Sequence, residues 1–184
     1  MNRTIGVLAI QGDFQAHLEV LGLMGVTGRE IRNSGDLEGV THLIVPGGES
    51  TTIQKIAQFD GLWDKLVDFQ GPVMGTCMGS ILMARTILSP DARGWGMINL
   101  AVQRNAYGRQ INSFAARGKI AFLDHEFEMV FIRAPKIIKY GDDVKPLAWL
   151  GNEVTGVISG NKMALTFHPE LSGSTLVHEY FLGL

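Results

Sequence analysis

The sequence predicts an α/β fold: a single three-layer domain with a mixed, mostly parallel sheet, helices on both faces, and additional antiparallel strands in the second half. Three observations predict it. The first half alternates short, continuously apolar runs with longer amphipathic stretches, the pattern of strands covered on both faces and joined by crossover helices. The second half carries short apolar runs separated by turn residues, with few helical stretches between them, as antiparallel neighbours do. The chain is 184 residues long and 46% hydrophobic, enough for one sizeable core. It has no repeats, low-complexity segments or linkers, so residues 1–184 read as one domain.

The elements follow in order. Residues 5–10 (Ile-Gly-Val-Leu-Ala-Ile) are apolar throughout and read as a buried strand. Gln11-Gly12-Asp13 breaks the run, and Asp13 reads as the N-cap of a helix over 14–24. Residues 27–32 form a weaker strand. His42-Leu43-Ile44-Val45 is another buried strand, ended by Pro46-Gly47-Gly48. A helix is expected over 52–69, interrupted near Asp60-Gly61. Then come a Val73-Met74 strand and a helix running to Leu88. Later strands are expected at 100–103, 129–132, 147–150, 154–159 and 163–167, with a closing helix over 174–182.

Composition excludes several classes. Net charge is −2, without the basic footprint that nucleic-acid binding needs. The first apolar run is too short for a membrane span or a signal-peptide core, so no membrane association is expected. One cysteine in the chain excludes an internal disulfide framework and suits a reducing compartment, so the expected location is cytoplasmic.

That cysteine carries the strongest chemical signal. Gly75-Thr76-Cys77-Met78-Gly79 follows an apolar strand and opens a helix. This is the cysteine counterpart of the Gly-x-Ser-x-Gly nucleophile elbow, in which a sharp turn lifts the nucleophile above the sheet. The glycines are expected to permit the turn, and the helix N-terminus to favour thiolate. A lone cysteine is more often a buried core residue; the flanking glycines reverse that preference.

A thiol needs a base, and the chain has five histidines. His17, His42, His125 and His178 read as structural or surface residues. His168 ends a strand in Phe167-His168-Pro169-Glu170, where Glu170 can orient the imidazole and Pro169 stiffens the connection. Cys77, His168 and Glu170 are therefore the candidate catalytic set. The Pro46-Gly47-Gly48-Glu49-Ser50-Thr51-Thr52 segment can offer backbone N–H groups to an oxyanion. The N–H of Met78 is the expected second donor. Taken alone, this segment reads as a turn, and it lacks the ending of a phosphate-binding P-loop.

Gly75-Thr76-Cys77-x-Gly79 with the distant Phe167-His168-Pro169-Glu170 resembles the class I, triad-type glutamine amidotransferases, whose fold is flavodoxin-like α/β. Four further motifs resemble, within that class, the family of glutaminase subunits of pyridoxal 5′-phosphate synthase. They are Gln11-Gly12-Asp13-Phe14, the Pro46 to Thr52 segment, Arg104-Asn105-Ala106-Tyr107-Gly108-Arg109-Gln110 and Phe131-Ile132-Arg133-Ala134-Pro135. The resemblance covers essentially the whole chain.

It implies that Cys77 attacks the side-chain amide of L-glutamine, that ammonia leaves, and that water hydrolyses the thioester. His168 acts as base and acid, oriented by Glu170. Gly47, Gly48, Glu49, Ser50, Arg104, Ile132 and Arg133 bind substrate, and Gly48 and Met78 supply the oxyanion donors. No cofactor and no metal is implied. The implied partner is the synthase subunit, in a large hetero-oligomer that receives the ammonia. Departures occur at Met78, where the family usually has alanine, over 117–128, and at Val157-Ile158-Ser159-Gly160-Asn161. Two other readings are a glutaminase serving a different synthase, such as imidazole glycerol phosphate synthase, and a catalytically silent regulatory module. The Arg104 and Arg133 motifs stand against the first, and the intact Cys77, His168 and Glu170 against the second.

Overall fold

A computed structural model of the chain describes residues 3–49, 52–53, 57–58, 60–89, 93–104, 106 and 113–184. Its elements run β1 (Ile5–Leu8), α1 (Phe14–Leu23), β2 (Gly28–Ile31), β3 (His42–Val45), α2 (Leu62–Val67), β4 (Val73–Thr76), α3 (Met78–Met83), β5 (Ala84–Leu88), β6 (Ile98–Gln103), β7 (Ser113–Ile120), β8 (Phe127–Ile132), β9 (Lys136–Tyr140), β10 (Lys145–Leu150), β11 (Glu153–Ser159), β12 (Lys162–Leu165) and α4 (Leu176–Leu182).

Nine strands form one mixed sheet in the order β2-β1-β3-β4-β12-β11-β10-β7-β8, and β5, β6 and β9 form a small second sheet. From β2 to β12 the neighbours are parallel. From β12 to β8 they are antiparallel. Thus β12, late in the sequence, inserts beside β4, with Leu165 opposite Thr76.

Alternation along the strands divides the core into two layers. Leu43, Val45, Val73 and Ala164 pack on one face with Leu62 and Leu66 of α2 and Ile81 and Leu82 of α3. Ile5, Ile44, Met74, Met163 and Leu165 pack on the other with Leu21 of α1 and Val177 and Phe181 of α4. Successive strand side chains point to opposite faces, so a continuously apolar strand needs cover on both. The sheet thus lies between two helical layers, as the alternating first half predicts. Among the described residues no helix is long and apolar enough to cross a membrane.

Several local expectations are corrected. The elbow helix does not run to Leu88: it ends at Met83, and β5 follows at once to pair with β6. The carbonyls of Leu82 and Ala84 accept from Trp95 and Gly96 instead of from a continuing helix. Tertiary pairing, together with the β-branched Thr86 and Ile87, prevails over a helix-like apolar period. Asp13 stands at the N-cap position of α1, but its side chain makes no capping hydrogen bond. Of the helix expected over 52–69, Thr52, Ile53 and Ala57 are helical. The interruption is real: Gly61 takes φ 75, and α2 restarts at Leu62, whose N–H donates to Asp60 Oδ1 at 3.1 Å. Strands β7 and β9 are present without having been expected.

The antiparallel half does not extend away from the parallel half. The N–H of His168, just beyond β12, donates to the carbonyl of Val130 on β8 at 2.8 Å. Strand β8 ends the sheet order yet returns to the turn that follows β12. Its last residue, Ile132, and the adjoining Arg133 thereby reach the carboxyl ends of β3, β4 and β12.

Candidate active site

Open parallel sheets place ligands beyond the carboxyl ends of their strands, and here three adjacent strand ends supply the chemistry. Val45 of β3 lies opposite Gly75 of β4, so Pro46 and Gly47 emerge beside the elbow. Cys77 follows β4, and its N–H donates to the Leu165 carbonyl of β12 at 2.8 Å. His168 emerges three residues beyond β12. A 3-10 turn over Pro169–Leu171 then brings Glu170 back beneath the imidazole.

The elbow holds its strain on the nucleophile itself. Cys77 takes φ 48, in the left-handed region that side chains with a Cβ rarely occupy. The flanking glycines serve another purpose than the one expected. Neither has a positive φ, but a Cβ on Gly75 would stand 2.7 Å from the Gly79 carbonyl carbon. One on Gly79 would stand 1.9 Å from the Val45 carbonyl oxygen. They permit close approach of backbone to backbone, and that approach forces the turn at Cys77. Helix α3 spans 6 residues, so its dipole is a minor influence on the thiol.

His168 Nδ1 lies 2.7 Å from Glu170 Oε1, with both side chains nearly or wholly buried. Burial alone would lower the His168 pKa. The Cys77 sulfur and the Glu170 carboxylate outweigh it and raise it to about 10, which favours a proton resting on the imidazole once the thiol has given it up. The firm contributor is Glu170, because Cys77 and His168 are not hydrogen-bonded in this geometry. The thiol donates to the Ile132 carbonyl at 3.4 Å. His168 Nε2 is buried with no hydrogen-bond partner among the described residues. Burial would raise the Glu170 carboxyl, but His17 and His168 beside it hold it below the usual range.

The cavity over Cys77 has a volume of about 390 Å³, at the small end of ligand sites. Gly48, Glu49, Arg104, Ile132, Arg133, Met78, Cys77 and His168 all line it. The sequence-predicted residues from five separate segments therefore converge. Ser50 lies outside the described residues, as does most of the motif that follows Arg104. Two lining residues were not singled out, Ile81 and Pro135; both are apolar and carry no chemical signal of their own. Met78 opens α3, where a first-turn N–H has no partner within its helix, and its buried side chain forms part of the wall. Arg133 takes φ 47, a second strained backbone in the same wall. Two guanidiniums and one carboxylate in so small a cavity suit a zwitterion carrying an α-carboxylate and an α-ammonium group. No group of three or more His, Cys, Asp or Glu side chains among the described residues could hold a metal ion.

Gly47 does not line the cavity but sets its geometry. A Cβ there would stand 2.6 Å from His168 Cε1 and 3.3 Å from Cys77 Cβ. Behind it, Gly12 takes φ 96 and packs on the Gly47 carbonyl, where a Cβ would collide. The N–H of Glu49 donates to Gln11 Oε1 at 3.0 Å. Gln11-Gly12 thus braces the Gly47-Gly48 loop. Gly47→Ala is expected to displace the His168 ring and lower kcat about 10²-fold, the cost of a misplacement on the order of 1 Å. Steady-state glutamine hydrolysis, with circular dichroism showing an unchanged fold, checks this.

Sequence reasoning missed the surroundings of Glu170. His17 and His178 are wholly buried and stand in line behind the carboxylate. The signal was present: His17 shares the buried stripe of α1 with Val20 and Leu21, and His178 shares that of α4 with Val177 and Phe181. A histidine on an apolar stripe requires a polar partner inside. His125, by contrast, is on the surface beside Asp124, and His42 is buried at the start of β3 and bonded to Thr41.

Comparison with known proteins agrees with this geometry. The family model described as the SNO glutamine amidotransferase family matches residues 7–183. A protein of Thermococcus gammatolerans named pyridoxal 5′-phosphate synthase subunit PdxT is 45% identical, over 97% of this chain and 96% of its own. One of the same name from Deinococcus radiodurans is also 45% identical, over 98% and 96%. A crystal structure of a glutamine amidotransferase superposes with a TM-score of 0.91 at 41% identity, covering 98% of this chain and 97% of that one. The structure of PurLQS from Thermotoga maritima, at TM-score 0.74 and 16% identity over 100% of this chain and 99% of that one, shares the fold. With the family match spanning nearly the whole chain, the chain belongs to the SNO glutamine amidotransferase family.

Proposed function

We propose that residues 1–184 form a glutaminase domain that hydrolyses L-glutamine to L-glutamate and ammonia through Cys77, His168 and Glu170. The ammonia passes to the synthase subunit of pyridoxal 5′-phosphate synthase. The observation that carries the reading is the convergence of an elbow cysteine and a carboxylate-bound histidine, His168 Nδ1 to Glu170 Oε1 at 2.7 Å, on one cavity with Arg104 and Arg133.

The Cys77 thiol turns from the Ile132 carbonyl toward His168, which takes its proton. Hydrogen bonds of this kind are often loose before substrate binds. The thiolate attacks the amide carbon of the glutamine side chain, and the N–H groups of Gly48 and Met78 stabilise the oxyanion. His168 returns the proton to the amide nitrogen, the C–N bond breaks and ammonia leaves. Water, deprotonated by His168, then attacks the thioester, the C–S bond breaks, and glutamate is released. Glu49, Ser50, Arg104, Ile132 and Arg133 hold the rest of the substrate, and Gly47, expected from the sequence among them, shapes the loop behind it instead.

The name that the close relatives carry supports a partner synthase; we extend the proposal to a large hetero-oligomer in the cytoplasm. Free ammonia would be protonated and lost, and an uncoupled glutaminase would waste glutamine. Both favour a site completed by docking. The Gly47-Gly48 peptide is a fitting element, because its carbonyl leans on Gly12 and glycine reorients at little conformational cost. One missing oxyanion donor costs about 10²–10³-fold. Glutamate release is therefore expected to rise on that scale when the synthase subunit is added. Equal rates with and without it would remove the docking dependence, and a stronger response to another synthase would reassign the partner.

A further inference from the structure

Glu170 has two carboxylate oxygens, and its side chain is fully buried. Oε1 is bonded to His168. Oε2 is buried without a hydrogen bond of full quality among the described residues, and His17 Nε2 stands 3.4 Å from it. An unsatisfied buried carboxylate oxygen is costly, and it leaves the carboxylate free to rotate away from its partner. His17 also reaches Thr76 Oγ1 at 3.1 Å, on the residue immediately before Cys77. Its other nitrogen, Nδ1, lies 2.9 Å from His178 Nε2. One buried imidazole therefore touches the base of the elbow, the orienting carboxylate and a second buried imidazole.

We propose that His17 is a positioning residue for the triad: as the Nε2–H tautomer, fixed by His178, it holds the second oxygen of Glu170 and so keeps the His168 ring aimed at Cys77. The proton positions follow from hydrogen-bond accounting. One proton sits between His17 Nδ1 and His178 Nε2. If His178 donates it, neutral His17 carries its own proton on Nε2, directed at Glu170 Oε2 and Thr76. His178 Nδ1 is then a bare nitrogen, and it is buried with no partner among the described residues. If His17 donates instead, His178 buries an N–H with no acceptor, and neutral His17 turns a lone pair toward a carboxylate. The first arrangement avoids both costs. Burial is the largest influence that pushes His178 down to about 3, which keeps it the neutral donor this arrangement needs.

The groups facing His17 are Glu170 on the turn after β12, His178 on α4 and the uncharged Thr76 on β4, with His168 beyond Glu170. Burial pushes the Glu170 carboxyl up, and the hydrogen bond from His17 is among the influences that hold it down. Without His17 the carboxyl rises, so activity that requires an ionised Glu170 fails at a higher pH.

The test compares wild type, His17→Leu and His17→Gln, each assayed for glutamine hydrolysis across pH with the synthase subunit present. Outer partners that orient a working imidazole are worth on the order of 10- to 100-fold. His17→Leu is expected to lose kcat on that scale, with KM for glutamine unchanged and the acid limb of the kcat profile moved to higher pH. His17→Gln, which keeps an N–H donor near the Nε2 position, is expected to restore most of kcat and the original limb. Nitrogen-15 histidine resonances of the wild type, independent of any variant's folding, are expected to show both His17 and His178 protonated on Nε2. An unchanged kcat in His17→Leu, a glutamine variant as impaired as the leucine one, or the opposite tautomers would overturn the proposal. The role rests on the glutaminase reading. A wild type without activity overturns both, whereas an active wild type matched by His17→Leu overturns the positioning role alone.

Discussion

Replacing Cys77 by alanine is expected to abolish glutamate release from L-glutamine, a loss on the order of 10⁶-fold as for other enzymes deprived of their nucleophile. Cys77 is the one thiol in the chain, so no neighbouring sulfur can substitute. The fold is expected to survive. Alanine keeps the Cβ and accepts the same strained φ of 48, and the N–H bond to Leu165 is a backbone contact that the change does not touch. The lost thiol contact, to the Ile132 carbonyl at 3.4 Å, is weak. Thermal unfolding of Cys77→Ala should therefore resemble that of the wild type while activity vanishes. Residual glutaminase activity at wild-type level would remove the cysteine from the mechanism.

The second large effect is expected at His168. Its removal deletes proton transfer, worth about 10²–10⁴-fold by itself. Glu170→Gln should be milder. The amide keeps the approximate shape and can still accept from His168 Nδ1 through its oxygen, but it lacks the charge that helps to raise His168 to about 10. His168→Ala is thus expected to retain less kcat than Glu170→Gln, measured in the same assay with the synthase subunit present. The reverse order would mean that the carboxylate does more than orient and charge the imidazole.

The chemistry was legible in the sequence where it is local. The elbow motif is contiguous around Cys77, and His168-Pro169-Glu170 is three residues of one turn. Continuous apolar runs gave β3 with its observed limits and β1 with two residues too many. What failed to show has physical reasons. Strand β7 alternates between exposed and partly covered positions, but Ala116 and Gly118 stand on its inner side and give the alternation little hydrophobic contrast. Strand β9, Lys-Ile-Ile-Lys-Tyr, has no position that is fully buried. The stretch over 117–128 gave no hint that β8 would return to the turn after β12, because that closure is set by tertiary hydrogen bonding between His168 and Val130. The return is what carries Ile132 and Arg133 to the cavity. The pairing of His17 with His178, separated by 161 positions, is likewise invisible to spacing along the chain.

The central claim is that Cys77 forms the covalent bond to the glutamine carbonyl. A glutamine-like electrophile, diazo-oxo-norleucine, tests it most directly, with the synthase subunit present and the labelled chain read by intact and peptide mass spectrometry. The account predicts one adduct per chain, on the peptide containing Cys77, with loss of glutaminase activity in proportion to labelling and protection by L-glutamine. An adduct on another residue, or full labelling of Cys77 with glutamine hydrolysis undiminished, would contradict it.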